Sequence, residues 1–352
     1  MVSGELLQFM SRSISGDMIY TSATPNIQLG GFHPSRETIP LSLVHPKNAE
    51  LDCALLEIGV IVPRPHVHWR VKVNGISITK EFKPHVTAQL KTGLFAKLVY
   101  DITSILKTPE GLRRRRVNVT FKQDGGEHIV IDHIGILALY KSDEAYTDIL
   151  YLSGALSIEP GEEYSSELRY PRSTGVFSST VFLPSKYARG SIVIDDRLSI
   201  PLEGFQGYDE VVSQLDGISP GVYIKIIHEE PLTQYFPKEM RVSNILVYNT
   251  RYKTTKLELV DVAYDKKGAE DVDFIIKLAN TGETRPDMNM VVIMYLGNVV
   301  ARKIFQPIEP GQERRLRVST KLPKGEYDIV VRTIWRKLSK TWFEDRKLRI
   351  KI

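Results

Sequence analysis

The feature that most constrains this chain is a series of short segments in which apolar and polar residues alternate. The clearest, Val71–Val73, runs into Asn74-Gly75 and returns as Ile76-Ser77-Ile78. Asn-Gly between alternating apolar residues is a strong hairpin signal, because both turn positions need a positive φ. The same alternation appears at Val117–Phe121, and no long helical periodicity is found along the chain. The pattern predicts an all-β protein.

The stretch after the hairpin is also informative. Tyr100-Asp101-Ile102-Thr103 leads into a predicted helical turn at Ser104–Leu106, with Asp101 or Thr103 as its cap. This order of hairpin, Tyr-Asp-Ile-Thr segment and strand resembles the galactose-binding-like β-jelly roll, an accessory module of many glycoside hydrolases and adhesins. The resemblance implies a β-sandwich that binds through its loops, and it assigns no site residue.

The same order of segments returns, in degenerate form, further along the chain. Ile192–Ile200 corresponds to the hairpin, with Asp195-Asp196 at its turn, and Tyr208 corresponds to Tyr100. Val211–Leu215 corresponds to the helical turn, and Val222–Ile226 to the strand that follows it. Segments that keep their order while loop lengths differ indicate a repeated domain. We therefore expect two tandem jelly rolls that superpose.

The C-terminal part predicts a third β-sandwich. Seven strand patterns lie between Leu257 and Ile352, which is typical of an immunoglobulin-like sandwich even without its Cys-Trp-Cys hallmark. The motifs LANTGE, IEPGQE and LPKGEYDIVV resemble the CARDB family of adhesion-related domains of prokaryotic surface proteins. The expected organisation is an N-terminal arm (1–16), jelly-roll module 1 (17–145), jelly-roll module 2 (146–253) and the immunoglobulin-like domain (254–352).

Composition places the chain among ordinary globular proteins, with 42% hydrophobic and 25% charged residues. The single cysteine, Cys53, excludes an intramolecular disulfide, and its apolar neighbours predict a small buried side chain. No stretch approaches the roughly 20 apolar residues of a membrane span, and no signal peptide is visible. Localisation stays open, with a virion or cell surface favoured over the cytoplasm. Scarce Asn and Gln beside abundant charged residues favour a thermophilic, archaeal source.

Signatures of catalysis and cofactor binding are missing from the sequence. It contains no G-x-S-x-G, no Walker A motif, no G-x-G-x-x-G and no H-E-x-x-H. His66 and His68 would share one face of a strand, as two metal ligands might, but no third ligand is evident. We therefore expect no enzyme activity, no cofactor and no metal.

Three groups of residues are candidates for contacts with partners. They are the apolar residues of the arm, a run of arginines, and the basic residues of the last strand: Leu6, Leu7, Phe9 and Met10; Arg113, Arg114, Arg115 and Arg116; Lys347, Arg349 and Lys351. The arm has no evident core of its own, and burial of each apolar side chain contributes roughly 1.5–3 kcal/mol. In the alternative interpretation the arm folds back onto module 1.

The two basic groups also have two interpretations each. The arginine run is either a solvated loop or a contact for an acidic neighbour. Lysine on an outer strand either attracts an acidic surface or only prevents edge-to-edge aggregation. Residues 254–352 carry 20 Lys and Arg against 14 Asp and Glu, so the chain's positive charge belongs to this domain.

The favoured function is that of a non-enzymatic structural or adhesive subunit of a virion, filament or cell-surface assembly. Such a subunit would contact other protein chains, in a homo- or hetero-oligomer, through its sandwiches and its arm. The alternative is a carbohydrate-binding protein that uses jelly-roll loops, with glycans as partners. Its candidate sugar-stacking residues are Trp69, Tyr170, Tyr187 and Tyr208. Nucleic acid is disfavoured, because the sequence has no stacking-aromatic pattern and no known nucleic-acid-binding motif.

Overall fold

The computed structural model describes residues 1–217, 221–230, 239–268 and 270–352. Strands account for 67% of the chain and helices for 3%, which confirms the predicted all-β class of packed antiparallel sheets. The described helices are both short, Thr103–Leu106 (α1) and Pro109–Arg113 (α2). In the described part of the chain, no helix is long and apolar enough to cross a membrane.

The chain divides into two compact units. Unit 1 comprises Met1–His45, Glu50–Lys141 and Tyr146–Thr250, and therefore contains both predicted jelly rolls. Unit 2 comprises Pro46–Ala49, Ser142–Ala145 and Arg251–Ile352.

Unit 1 contains seventeen strands in the described residues. They are β1 (Val2–Ala23), β2 (Ile27–Leu29), β3 (Arg36–Ser42), β4 (Glu50–Val62), β5 (Trp69–Val73), β6 (Ile76–Thr79), β7 (Val86–Leu90), β8 (Gly93–Asp101), β9 (Arg116–Gln123), β10 (Ile129–Ile158), β11 (Glu163–Leu168), β12 (Gly175–Leu183), β13 (Gly190–Ile194), β14 (Leu198–Leu202), β15 (Gly207–Leu215), β16 (Val222–His228) and β17 (Met240–Tyr252).

A nine-stranded sheet forms the centre of unit 1. Its path is β15-β12-β17-β10-β4-β8-β7, and β1 and β2 also pair with β10. β1 runs antiparallel to β10 from Val2 opposite Ile158 to Ala23 opposite Ile134, and residues 142–145 are left out of the ladder. The long strand β10 therefore belongs to both predicted modules, and β1 pairs with it in each of them.

Residues 1–16 are part of this sheet. They form most of β1. Leu6, only 8% exposed, belongs to a hydrophobic core whose other residues lie between Leu150 and Val247, in predicted module 2. Leu7, Phe9 and Met10 pack against two smaller apolar clusters of the same unit. The expectation that these side chains lack a core within the chain is therefore wrong, because their partner strand, β10, lies far away in the sequence.

Two four-stranded sheets have the same strand order, β3-β9-β5-β6 and β11-β16-β13-β14. Each contains a hairpin whose turn residues have positive φ, with Asn74 at 50° and Gly75 at 90°, and Asp195 at 52° and Asp196 at 53°. The side chain of Asn74 accepts a hydrogen bond from the N–H of Asn118 at 3.0 Å, and Asp195 accepts one from Tyr223 at 2.8 Å.

This shared topology agrees with the predicted repeat, with one difference. The segment 211–215 ends strand β15 and is not a helical turn, whereas its counterpart 103–106 is α1. In module 1 the N–H of Thr103 bonds to Asp101 Oδ1 at 2.8 Å, which supports that turn, although the residue at the N-cap is Ile102.

Unit 2 is a β-sandwich with its own core. Its strands are β18 (Leu257–Lys266), β19 (Asp271–Asn280), β20 (Met288–Tyr295), β21 (Asn298–Phe305), β22 (Glu313–Lys321), β23 (Glu326–Lys337) and β24 (Lys340–Lys351). They form the sheets β18-β19-β22 and β21-β20-β23-β24, whose apolar faces enclose Phe274 and Trp335. All seven predicted strands are present.

Candidate functional site

Three loops of module 1 meet at one end of its sandwich, and we call residues 30–35, 63–68 and 124–128 the loop cluster. The N–H of Asp124 donates to the carbonyl of His68 at 2.8 Å, and the N–H of Gln123 donates to the carbonyl of Ser35 at 2.8 Å. Arg64 forms an ion pair with Glu127. These bonds join the three loops, so the surface they present is preformed.

The first loop depends on its two glycines. Gly30 and Gly31 have φ values of 80° and 60°, a region that glycine enters at little cost. A Cβ on Gly30 would collide with the carbonyl oxygen of Glu127. The N–H of His33 donates to the carbonyl of Gly30 at 3.0 Å and closes the turn. This tight turn holds Phe32 at its tip.

Phe32 is fully exposed, at 108% of its reference area. The imidazole rings of His33 and His128 lie beside each other, with centroids 5.1 Å apart. Glu127 Oε2 and Gln123 Oε1 are buried and accept no hydrogen bond from the described residues. The surface of the cluster thus combines an apolar ring with two exposed imidazoles, a mixture that orients a polar ligand with an apolar face.

Sequence reasoning did not select Phe32, although the run Gly30-Gly31-Phe32 carried a signal. Two glycines predict a tight turn, and an aromatic residue at a turn tip has no core to enter. His66 and His68 are exposed and lie in the loop before β5, not on a strand. Within the described ranges, no group of three or more residues is arranged to hold a metal ion.

The four aromatic residues proposed for sugar stacking lie in different environments. Trp69 and Tyr170 are buried, and the phenol of Tyr208 donates a hydrogen bond to Asp132. Only Tyr187 is strongly exposed. Their structural roles therefore exclude three of the four as sugar-stacking surfaces.

A second polar cluster is entirely buried in unit 1. Glu57 of β4 and Lys97 of β8 are both 0% exposed and form an ion pair of 2.7 Å. Glu57 also accepts hydrogen bonds at 2.6–2.8 Å, and the donors are Tyr20, Ser153 and Asn244. These donors come from β1, β10 and β17, so one carboxylate connects strands of both modules.

Neighbouring groups extend this buried cluster. Lys97 Nζ lies 3.2 Å from Nδ1 of His133. Arg241 contacts Asp132 at 3.2 Å and stacks 3.7 Å from the ring centroid of Phe182. Because these groups are shielded from solvent, they are not placed to contact a ligand.

Burial and charge set the ionisation of this cluster. Burial alone would raise the pKa of Glu57, but the charge of Lys97 and the hydrogen bonds outweigh it and lower that pKa to about 2. Burial lowers the pKa of His133 to about 3, with Lys97 adding to the effect, so its imidazole is neutral. Burial also raises the pKa of Asp132, against the attraction of Arg241.

The remaining candidate residues lie on the surface. Arg113 ends α2, Arg114 and Arg115 follow it, and Arg116 begins β9; all four side chains are exposed. On β24, Arg349 pairs with Glu326 at 3.3 Å and Lys351 pairs with the same carboxylate at 3.6 Å. The positive charge of that strand is therefore partly balanced within unit 2. Cys53 is half-buried, and burial raises its thiol pKa.

No protein-family model and no curated protein matches the sequence. Among solved structures, a β-glucuronidase from Ruminococcus gnavus is 12% identical, covering 57% of this chain and 36% of that chain, with a TM-score of 0.22. A β-glucuronidase from the same organism in complex with D-glucuronic acid is 11% identical, covering 58% and 36%, with a TM-score of 0.21. The chain thus spans little more than a third of these enzymes' length, and the likeness assigns it neither an activity nor a site.

These comparisons correct the favoured function. The two similar structures named above are β-glucuronidases, and neither is a subunit of a virion, filament or cell surface. The expectation of a structural or adhesive subunit is therefore withdrawn, and the carbohydrate-binding alternative is retained.

Proposed function

We propose that this protein binds carbohydrate through the loop cluster of its first jelly-roll module. The observation that carries the proposal is the fully exposed ring of Phe32, held at the tip of a glycine-dependent turn. Exposing a whole aromatic side chain on an ordered loop forgoes the stabilisation that its burial would contribute. A binding role explains why the ring is presented to solvent.

The groups around Phe32 suit a sugar. The face of an aromatic ring packs on the apolar C–H face of a pyranose, while hydroxyls at the sugar's edge need donors and acceptors. The exposed imidazoles of His33 and His128 can supply either role. Because the loops are already joined by hydrogen bonds, little ordering would accompany binding.

Binding of neutral glycans tests this proposal. The full-length protein is assayed on an array of neutral oligosaccharides, and hits are measured by titration calorimetry. We expect Phe32→Ala to lose binding with its melting temperature unchanged, since the ring has no packing partner to lose. The matched control is Phe343→Ala, which removes a largely exposed ring from unit 2.

Two results would contradict the proposal. One is the absence of any glycan ligand for the wild-type protein. The other is a ligand whose affinity is the same for wild type and Phe32→Ala. The proposal concerns binding alone, so assays of glycoside hydrolysis on the same hits are run beside it.

A further inference from the structure

The exposed side of the sheet β3-β9-β5-β6 is strongly basic, and we call it the basic face. Its outward positions carry five cationic side chains and no carboxylate: Arg36, Arg70, Lys72, Arg116 and Lys122. Strand register places Arg36, Lys122 and Arg70 side by side in one row across three strands. Beyond Arg116 the run continues through Arg113–Arg115.

Little of this charge is neutralised within the chain. Asp124, which follows the last residue of β9, forms ion pairs with Arg70 at 2.6 Å and with Lys122 at 2.7 Å. Within the described part of the chain, no ion pair involves Arg36, Lys72 or the four-arginine run. Eight cations and one carboxylate give this region a net charge of +7, which exceeds the net charge of +5 of the entire chain.

A solvated face of an ordinary protein intersperses charges of both signs. Here the row Arg36–Lys122–Arg70 places cations about 5 Å apart across strands, at the backbone. Along β5, Arg70 and Lys72 are about 7 Å apart, whereas Arg116 lies about 20 Å from Lys122 along β9. Such a group of cations repels itself and attracts a ligand that carries several negative charges. The inward positions of the same strands hold Val71, Val119 and Phe121 in the core, so the array is rigidly supported.

The side chains between the cations indicate which polyanion fits. They are short and polar, such as Asn118 and Thr38, whose hydroxyl pairs with that of Thr120 at 2.9 Å. Hydroxyl and amide groups can bond to sugar hydroxyls. The outward positions of β3, β5 and β9 present no aromatic ring on which unstacked bases could lie. Arginine binds carboxylates through two parallel hydrogen bonds.

We propose that the basic face binds a polysaccharide of uronic acids, a flexible chain with a carboxylate on each sugar. This inference rests on the proposed carbohydrate-binding function and adds a ligand class and a second surface to it. The polymer lies across β3, β9 and β5, its carboxylates pair with Arg36, Lys72 and Arg116, and its hydroxyls contact the polar side chains between them.

The test uses the full-length protein and polygalacturonate, with fully methyl-esterified polygalacturonate as the uncharged ligand of the same backbone. Affinity is measured at about 0.01 M salt, where the Debye length is about 30 Å, and at about 1 M salt, where it is about 3 Å. We expect binding of the acid form that is lost at high salt, and none of the ester.

The variant Arg36→Gln/Lys72→Gln/Arg116→Gln is expected to bind about tenfold more weakly or worse, since each lost ion pair contributes a factor of roughly two to five. Its matched control removes three cations from β24: Lys347→Gln/Arg349→Gln/Lys351→Gln, with affinity unchanged. Should the first variant not fold, Arg113→Gln/Arg114→Gln/Arg115→Gln alters only the helix end and loop before β9 and carries the same expectation.

Three other outcomes overturn the inference, each in a distinct way. Equal binding of acid and ester, or an equal loss in the control variant, rules out the basic face as the binding surface. If a DNA duplex binds more tightly than polygalacturonate, and the basic-face variant weakens its binding while the β24 variant does not, the face is assigned to nucleic acid. Loss of polygalacturonate binding in Phe32→Ala but not in the triple variant leaves the loop cluster as the site. If the acid form binds through the basic face and no neutral glycan binds, the proposed loop-cluster site is refuted and the basic face is not.

Discussion

The buried ion pair between Glu57 and Lys97 makes a quantitative prediction about stability. Both side chains are fully buried, and their charged groups lie 2.7 Å apart. Lys97→Met keeps the length of the side chain and removes the charge. Glu57 then keeps only neutral donors, Tyr20, Ser153 and Asn244, in an interior where burial disfavours its charged form. Breaking a buried pair in this way costs about 3–5 kcal/mol.

The chain offers a matched control for this substitution. Lys141 pairs with Asp52 at 2.9 Å, but its side chain is 63% exposed. An exposed ion pair contributes about 0–1 kcal/mol, so Lys141→Met should change the free energy of unfolding by less than about 1 kcal/mol. The same chemical change is thus compared at a buried and an exposed position.

Urea unfolding followed by circular dichroism measures both variants, and m-values are compared to confirm that the same surface unfolds. The double variant Glu57→Gln/Lys97→Met completes a cycle in which the coupling energy should be about 1–3 kcal/mol. If Lys97→Met and Lys141→Met are destabilised equally, or the coupling energy is near zero, the charges are not desolvated together and the reasoning fails.

Other predictions follow from the same structure. Leu6→Ala should lower the free energy of unfolding by about 2–5 kcal/mol in urea titrations, because Leu6 is a core residue of unit 1; an unchanged value would mean that β1 is dispensable. The pKa of His133 is about 3 in the folded state, below the unfolded value of about 6.5. Its contribution to the free energy of unfolding is therefore complete above about pH 6.5, and it is lost as the pH falls towards 3, by about 1.4 kcal/mol per pH unit. His133→Gln should remove that slope from the pH dependence of urea unfolding, and a slope equal to that of wild type would contradict a neutral buried imidazole. Gly30→Ala should destabilise more than Gly204→Ala in thermal melts, because both have positive φ but only Gly30 faces a backbone atom; equal effects would refute the close approach to Glu127.

Local patterns in the sequence determined the class of fold and the position of its turns. Alternation of apolar and polar residues predicted the seven strands of unit 2 and several of unit 1, such as β5 and β9, since successive side chains of a strand point to opposite faces. Asn74-Gly75 and Asp195-Asp196 predicted two hairpin turns, because these residue types tolerate positive φ, and both turns have it. The order of these local signals also predicted a repeated module, and the two four-stranded sheets share their strand order.

Only the tertiary structure decided which distant segments lie together. The pairing of β1 with β10 places Leu6 in a hydrophobic core. Packing within unit 1 brings Glu57 of β4 and Lys97 of β8 together as an ion pair. The loop cluster and the basic face arose in the same way, since Arg36, Lys122 and Arg70 become neighbours only through strand register. The physical reason is that turn geometry depends on the sterics of adjacent residues, whereas register depends on burying one face of each strand against residues from elsewhere in the chain.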